Sequence, residues 1–306
     1  MATIATGSQH SLYFVAESTY GTTPSTPTWT PCPHTSCSLG ITKDSIVSSK
    51  LRGDRQIEDL RHGNKQSGGD IGIELEYDAF DTLLAAVMQG AWATDVLKAG
   101  TTQTSYTFER KFANLDTPEW HRTEGGIVNT LSLEISPNAM VTGSFGIVGE
   151  DLLIATAEVV SSTYSADSGK MPYDSFTGSI TEGGSSIATV TSLSLNIDNG
   201  TEARFAVGSD VTLEPTSGRS NITGSLTAYF TSKALYEKFL NETESEIVCT
   251  LTDLDGNDLQ IDIPRIKYTA GNPDVSDEGS VSVSLDFQAL YSSGDASNIV
   301  FTRTAA

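Results

Sequence analysis

Few residues in this chain could do chemistry, and they are scattered. None of the four histidines, His10, His34, His62 and His121, stands beside a serine, cysteine or carboxylate in a nucleophile arrangement. The sequence has no G-x-S-x-G elbow, no G-x-x-x-x-G-K-[ST] phosphate loop and no H-E-x-x-H pair. Cys32-Pro33-His34-Thr35-Ser36-Cys37 gathers soft ligands, but a structural zinc needs four. The third cysteine, Cys249, lies in an alternating run where a small buried apolar residue is the plainer reading. Asp253-Leu254-Asp255-Gly256-Asn257-Asp258 begins like a calcium loop, yet its glycine is misplaced and Pro264 stands where a bidentate glutamate is required. Asp255-Gly256 between two alternating runs predicts a tight hairpin turn instead. The reading is therefore no enzyme, no metal and no cofactor.

The elements that could position any site are mostly strands. Period-two alternation is clearest in Ile71–Tyr77, Leu131–Ile135, Val141–Ile147, Leu193–Ile197 and Val281–Phe287. Only Ala79–Gln89 (Phe80, Leu83, Leu84, Val87) and Ser232–Asn241 (Leu235, Tyr236, Phe239, Leu240) read as helix. The fold class is mainly β with two short helices.

Each helix follows a strand, and the two passages resemble each other. Tyr77–Val87 lies over Phe230–Leu240 at an offset of 153, Ser38–Ile41 over Ser192–Leu195 at 154, and Val141–Ile147 over Val281–Phe287 at 140. This predicts an internal duplication: an N-terminal arm at 1–34, a first domain at 35–150, a linker or surface excursion at 151–186, a second domain at 187–291, and a C-terminal arm or tail at 292–306. Prolines crowd Thr22–Pro33, and Ser161–Ser186 is rich in Ser, Gly and Asp.

Composition narrows the function classes. Eighteen Lys+Arg against 39 Asp+Glu give a net charge of −21 over 306 residues, so the surface repels phosphates and sequence-specific DNA binding is excluded. Three cysteines cannot form a disulfide framework. The lack of a long apolar run or a signal-like N-terminus predicts no membrane anchor and folding in a cytoplasm.

Charge is unevenly placed. Lys43, Lys50, Arg52, Arg55, Arg61 and Lys65 fall within the long loop Thr42–Gly68. Glu242, Glu244, Glu246, Asp253, Asp255, Asp258 and Asp262 occupy a stretch without Lys or Arg. The expectation is pairing of the two stretches between identical subunits. The polar faces of the alternating runs carry Glu74, Glu76, Thr142, Ser144, Thr223, Ser225, Thr227, Ser282, Ser284 and Asp286, with no base among them. Such a face suits either bulk solvent or a wall that passes a polyanion without gripping it.

The sequence resembles the major tail tube proteins of long, non-contractile-tailed (siphovirus) bacteriophages. The resemblance covers nearly the whole chain. It rests on Ala5-Thr-Gly-Ser-Gln-His-Ser-Leu-Tyr-Phe through Gly21-Thr-Thr-Pro24, Lys43-Asp-Ser, Asp54-Arg55-Gln56, Arg61-His62-Gly63-Asn64, Gly69-Asp70-Ile71-Gly72 and Ser192-Leu-Ser-Leu-Asn-Ile-Asp-Asn-Gly200. It implies β-sandwich domains whose inner sheets join neighbours into a ring-shaped barrel, with rings stacked into a virion tube that conducts the genome. Single-copy relatives form hexamers, so a duplicated chain implies a homotrimer with pseudo-sixfold symmetry. The implied partners are further copies, a tape-measure protein and viral DNA in the lumen, and terminator and tail-tip proteins, with assembly in the host cytoplasm. The competing reading is a β-sandwich receptor- or carbohydrate-binding module of a virion, which would form a stable soluble oligomer with an aromatic groove.

Overall fold

The clearest alternating runs of apolar and polar residues form strands. The structure, a computed structural model, describes residues 3–50, 53–275 and 278–306. Its first half runs β1 (His10–Ala16), β2 (Thr28–Pro31), β3 (Ser36–Cys37), β4 (Gly40–Val47), β5 (Leu60–Glu74), α1 (Asp81–Met88), β6 (Val96–Lys98), β7 (Ser105–Phe112), β8 (Glu119–Ile135), β9 (Thr142–Gly149) and β10 (Asp151–Ala155). The second runs β11 (Thr163–Tyr164), β12 (Ser179–Glu182), β13 (Ser185–Ser186), β14 (Val190–Asp198), β15 (Asn221–Tyr229), α2 (Ala234–Leu240), β16 (Ser245–Thr252), β17 (Asp258–Asp274), β18 (Ser282–Ala289) and β19 (Val300–Thr304). Among the described residues no helix is long and apolar enough to cross a membrane.

The duplication is visible ladder by ladder. In the first half β4 pairs with β5, β5 with β9, β9 with β8, β8 with β7 and β10, and β7 with β1. In the second, β14 pairs with β15, β15 with β18, β18 with β17, β17 with β16 and β19, and β16 with β12. Even the irregularities repeat. The bulge at Val128/Thr130 on β8 recurs at Tyr268/Ala270 on β17, 140 residues on, and that at Tyr106/Phe108 recurs at Ser245/Ile247. Register sets Ile71 opposite Phe145 and Leu226 opposite Leu285, so β5 and β15 correspond at an offset of 155, and β3/β4 and β14 at 156. These offsets differ by two from those read off the sequence, which leaves every side chain on its expected face because the strand period is two.

Two layers result. The inner sheet runs β4, β5, β9, β8, β14, β15, β18, β17, antiparallel throughout, with β8 and β14 joining the halves. The 17-residue strands β8 and β17 start in the outer layer, beside β7 and β16, and cross to the inner layer at their bulges, as strands that turn sandwich corners do. Gly125 marks the first corner with φ +66; a Cβ there would lie 2.7 Å from Glu150 and 2.9 Å from Tyr20. Ile71, Ile73, Phe145, Leu131 and Leu133 of one half and Leu195, Ile222, Leu226, Leu285 and Phe287 of the other belong to one buried cluster between the layers.

The helices are unequal. α1 buries Leu83, Leu84, Val87 and Met88 behind Phe80, and ends at Gln89 in the left-handed region. The stripe expected on α2 is only half covered: none of its residues is buried, Leu235 and Phe239 lean on the core, and Leu240 is 58% exposed.

Four segments differ from expectation. Within 1–34, Ser11–Ala16 pairs with β7 as part of β1 and buries Leu12 and Phe14, so this stretch is not a free arm. Within 151–186, β10 pairs with β8, β12 with β16, and buried Tyr173 is stitched between Leu75 and Val141 by backbone bonds of 2.8 and 2.9 Å. In 292–306 the short run Ile299-Val300-Phe301 is buried, and β19 bridges β17 and β6. The loop Thr42–Gly68 is largely a two-stranded ribbon, paired from Gly40–Gly68 to Val47–Leu60. In the first three cases a few apolar residues suffice, since strands built elsewhere supply the backbone hydrogen bonds, whereas the ribbon is held by the pairing of β4 with β5.

Candidate functional site

The solvent face of the inner sheet is polar from edge to edge. One row of register partners reads Glu74, Thr142, Glu134, Ser194, Ser225, Asp286; the next reads Gly72, Ser144, Ser132, Asn196, Thr223, Gln288. A third holds Ser192, Thr227, Ser284 and Asn272. The hydroxyls bond one another, with Ser225 and Ser284 Oγ 3.2 Å apart and Thr227 Oγ1 donating to Ser284 Oγ at 3.3 Å. Ser282 lies opposite Tyr229 at the end of the face. The structure thus brings the expected polar residues onto one surface, with Glu76 just beyond β5, bridged to Pro172.

Sequence reasoning omitted Asp70, Ser132, Glu134, Ser194, Asn196 and Asp198 from this face. The signal was present: Leu131-Ser-Leu-Glu-Ile and Leu193-Ser-Leu-Asn-Ile are among the clearest alternating runs, and their polar positions fall on this face. Among the described side chains the face therefore carries six acids, Asp70, Glu74, Glu76, Glu134, Asp198 and Asp286. Among the described residues its one base is Lys267, at the margin, 4.0 Å from Glu244. Burial, followed by the charges of Asp167 and Glu74, pushes Glu76 up to about 7.

The basic ribbon rises from the other end of the sheet. Lys65 anchors its base, with Nζ 2.8 Å from Asp151 and 3.8 Å from Asp210, which relieves the repulsion expected from Lys43 directly opposite. Lys50 pairs with Glu58 at 3.5 Å and Arg61 with Asp59 at 3.0 Å. Arg55 is exposed, and Arg52 lies outside the described residues. The ribbon also exposes Ile46 (60%), Val47 (43%), Ile57 (73%) and Leu60 (53%), an apolar group the charge pattern concealed.

The acidic counterpart is not one patch. Glu244 accepts two hydrogen bonds from Arg265, at 2.7 and 2.8 Å. Asp253 is buried, accepting from the Asp255 and Asn257 amides and so closing the expected hairpin turn. Asp255 pairs with Lys170, Asp258 accepts from Thr252, and half-buried Asp262 is raised by burial and by Asp295 and Glu246. Glu242, two residues past α2, and Glu246, on β16, have no ion pair among the described residues.

The soft-ligand cluster also resolves. Cys32 is buried and free, and His34 turns to His10, Nε2 to Nδ1 at 2.7 Å, with Arg110 Nε donating to His10 Nε2 at 3.2 Å. Burial, then the charges of His34, Arg110 and His121, depresses His10 to about 4. Among the described residues no three His, Cys, Asp or Glu side chains converge as metal ligands.

No curated protein matches this sequence. A solved structure, the cryo-EM structure of the anti-feeding prophage cap (AFP tube terminating cap), is similar at 17% identity with a TM-score of 0.33, over 46% of this chain and 97% of that one. A family model described as phage tail tube protein matches residues 7–289. A duplicated sandwich with a continuous polar sheet face, matched to that family over nearly its whole length, is a structural subunit of a phage tail tube: the chain belongs to the phage tail tube protein family.

Proposed function

We propose that three copies close laterally into a pseudo-hexameric ring, that rings stack into a tube, and that the inner sheet's polar face lines the bore. The observation that carries this reading is the state of the sheet's ends. Among the described residues β3 and β4 pair only with β5, and the second half of β17 pairs only with β18, so the eight-stranded sheet presents two edges without a strand partner there. Open edges are an aggregation hazard, and ring closure removes them.

A wall of hydroxyls, amides and six carboxylates suits passage of DNA. Each lysine or arginine on such a wall would hold a phosphate by displacing its counterions; carboxylates repel it and the strand slides. The lumen holds a tape-measure protein before the genome passes, and terminator and tail-tip proteins close the two ends. The exposed aliphatic side chains and cations of the ribbon form contacts with the next subunit or ring.

Negative-stain electron microscopy of the purified chain at increasing concentration tests the reading. Three-fold rings and hollow filaments are expected. Monodisperse, unringed particles at every concentration would refute it.

A further inference from the structure

The interface between the two halves of one chain is a template for the interface between chains. Because the halves repeat, the contact of the first half's β8 with the second half's β14 has an equivalent in which β17 meets the β3/β4 edge of another copy. We propose that this lateral contact reproduces the internal one in register, pairing Cys37 with Val275, Leu39 with Pro273, Ile41 with Gly271 and Thr42 with Ala270. The inference rests on the ring reading above and specifies its subunit contact.

The register follows from the ladders. Internally, Leu193, Leu195, Ile197 and Asp198 oppose Ile135, Leu133, Leu131 and Thr130. Moving β14 back 156 residues and β8 forward 140, the offsets fixed by pairing within each half, gives the rungs above. The faces agree: Leu39 and Ile41 meet Pro273 and Gly271 on the core side, while Thr42 and Ala270 meet on the polar side. A slip of one residue would turn a whole strand over.

Hydrogen-bond phase agrees as well. The Asn199 amide donates to Asn129 O at 3.1 Å, which makes the Leu193, Leu195 and Ile197 rungs the hydrogen-bonded ones. At the free edge the Ser38 amide is spent on Asp70 O, so Cys37, Leu39 and Ile41 turn their backbone groups outward, as the copied register requires.

One rung is imperfect, and the chain compensates for it. Pro273 stands where the first half has Leu133, and it has no N–H to give the Leu39 carbonyl. That carbonyl already accepts from Arg110 Nη1 within its own chain. The second-half equivalent of Arg110 is Cys249, which faces a rung where Leu133 retains its amide. The exchange of arginine for cysteine thus tracks that of proline for leucine.

The helix ends complete the copy. Inside the chain, Asn199 Nδ2 caps α1 by donating to Val87 O at 2.7 Å. The equivalent pair is Lys43 with Leu240 at the end of α2, where a cation suits the helix dipole and Glu242 stands two residues on. This places the basic ribbon against the exposed part of α2 and against the one acid of the counterpart stretch nearest that helix end.

Disulfide trapping in assembled protein tests the register. In a Cys37→Ser background, Thr42→Cys/Ala270→Cys occupies a non-hydrogen-bonded rung, with Cα atoms about 4.5 Å apart. Thr42→Cys/Asn272→Cys is two residues out, about 7–8 Å, and beyond a disulfide's reach. Both pairs sit on exposed sites, and melting of the unassembled variants checks their folding. The expected result is a covalent ladder ending at three chains for the first pair, with at least about tenfold less product for the second. Rings in which the second pair links instead, or neither does, overturn the register and leave the ring reading standing. Absence of rings from the parent chain overturns the ring reading itself. Lys43→Glu should raise the assembly concentration about tenfold and Glu242→Lys in the same chain should restore it; no rescue removes that contact from the copied interface.

Discussion

Replacing Ile46 and Leu60 of the ribbon with serine tests whether this element is an assembly surface. Their exposures of 60% and 53% amount to about one fully exposed aliphatic side chain. Full burial of such a side chain contributes about 1.5–3 kcal/mol, so the double variant should weaken assembly by about 2–3 kcal/mol per subunit added. Every 1.4 kcal/mol is tenfold in an equilibrium constant, so the critical concentration for filaments should rise about 30- to 150-fold. The isolated subunit should be unaffected, since both side chains already face water and neither belongs to the buried cluster. Light scattering across a dilution series, paired with thermal melting below the assembly threshold, separates the two effects. An unchanged critical concentration would refute the argument, as would a loss of several degrees in the melting of the unassembled chain.

Other perturbations address the wall and the core. Glu74→Lys with Glu134→Lys, flanking Thr142 on one row, should leave tubes intact and slow DNA ejection at low salt, with the effect fading as salt rises; ejection unchanged at all salt concentrations would remove this row from the bore. Glu76 is held above its unfolded value, so the folded state binds the extra proton between about 4.5 and 7 and stability falls as pH rises through that window. Glu76→Gln should flatten the dependence of the unfolding free energy over that range, by about 1 kcal/mol once solvent screening of a half-exposed carboxylate is discounted. Arg122→Met strips the cation, at 2.7 Å, from fully buried Glu109, leaving it only the Tyr164 hydroxyl among its described side-chain partners, and should cost about 3–5 kcal/mol by denaturant melting, far more than Lys50→Met at an exposed pair. Arg303, paired with Asp78, Asp81 and Asp95 and lying 4.8 Å over the Trp92 ring, pins the last strand to the first half. Arg303→Met should lower stability by about 1.5–3 kcal/mol and raise amide exchange in Val300–Thr304 selectively.

What the sequence determined by itself was periodicity and its repetition. Alternation at Ile71–Leu75, Leu131–Ile135 and Val281–Phe287 dictates which side chains are buried and which are wet, because successive residues on a strand point to opposite faces whatever the partner. The polar composition of the inner face, the two helices and the doubling of the chain follow from that local rule. Tertiary structure alone decided the pairing. Nothing local in Ser11–Ala16, Pro172–Asp174 or Ile299–Phe301 says that these segments fill edges and gaps in a sheet built elsewhere, since the bonds that hold them come from residues distant in sequence. The same holds for charge. The cations and acids were legible as two opposed groups, yet Lys65 is spent on Asp151, Glu244 on Arg265 and Asp253 on its own turn, because ion pairs form between whichever groups the fold sets a few ångströms apart.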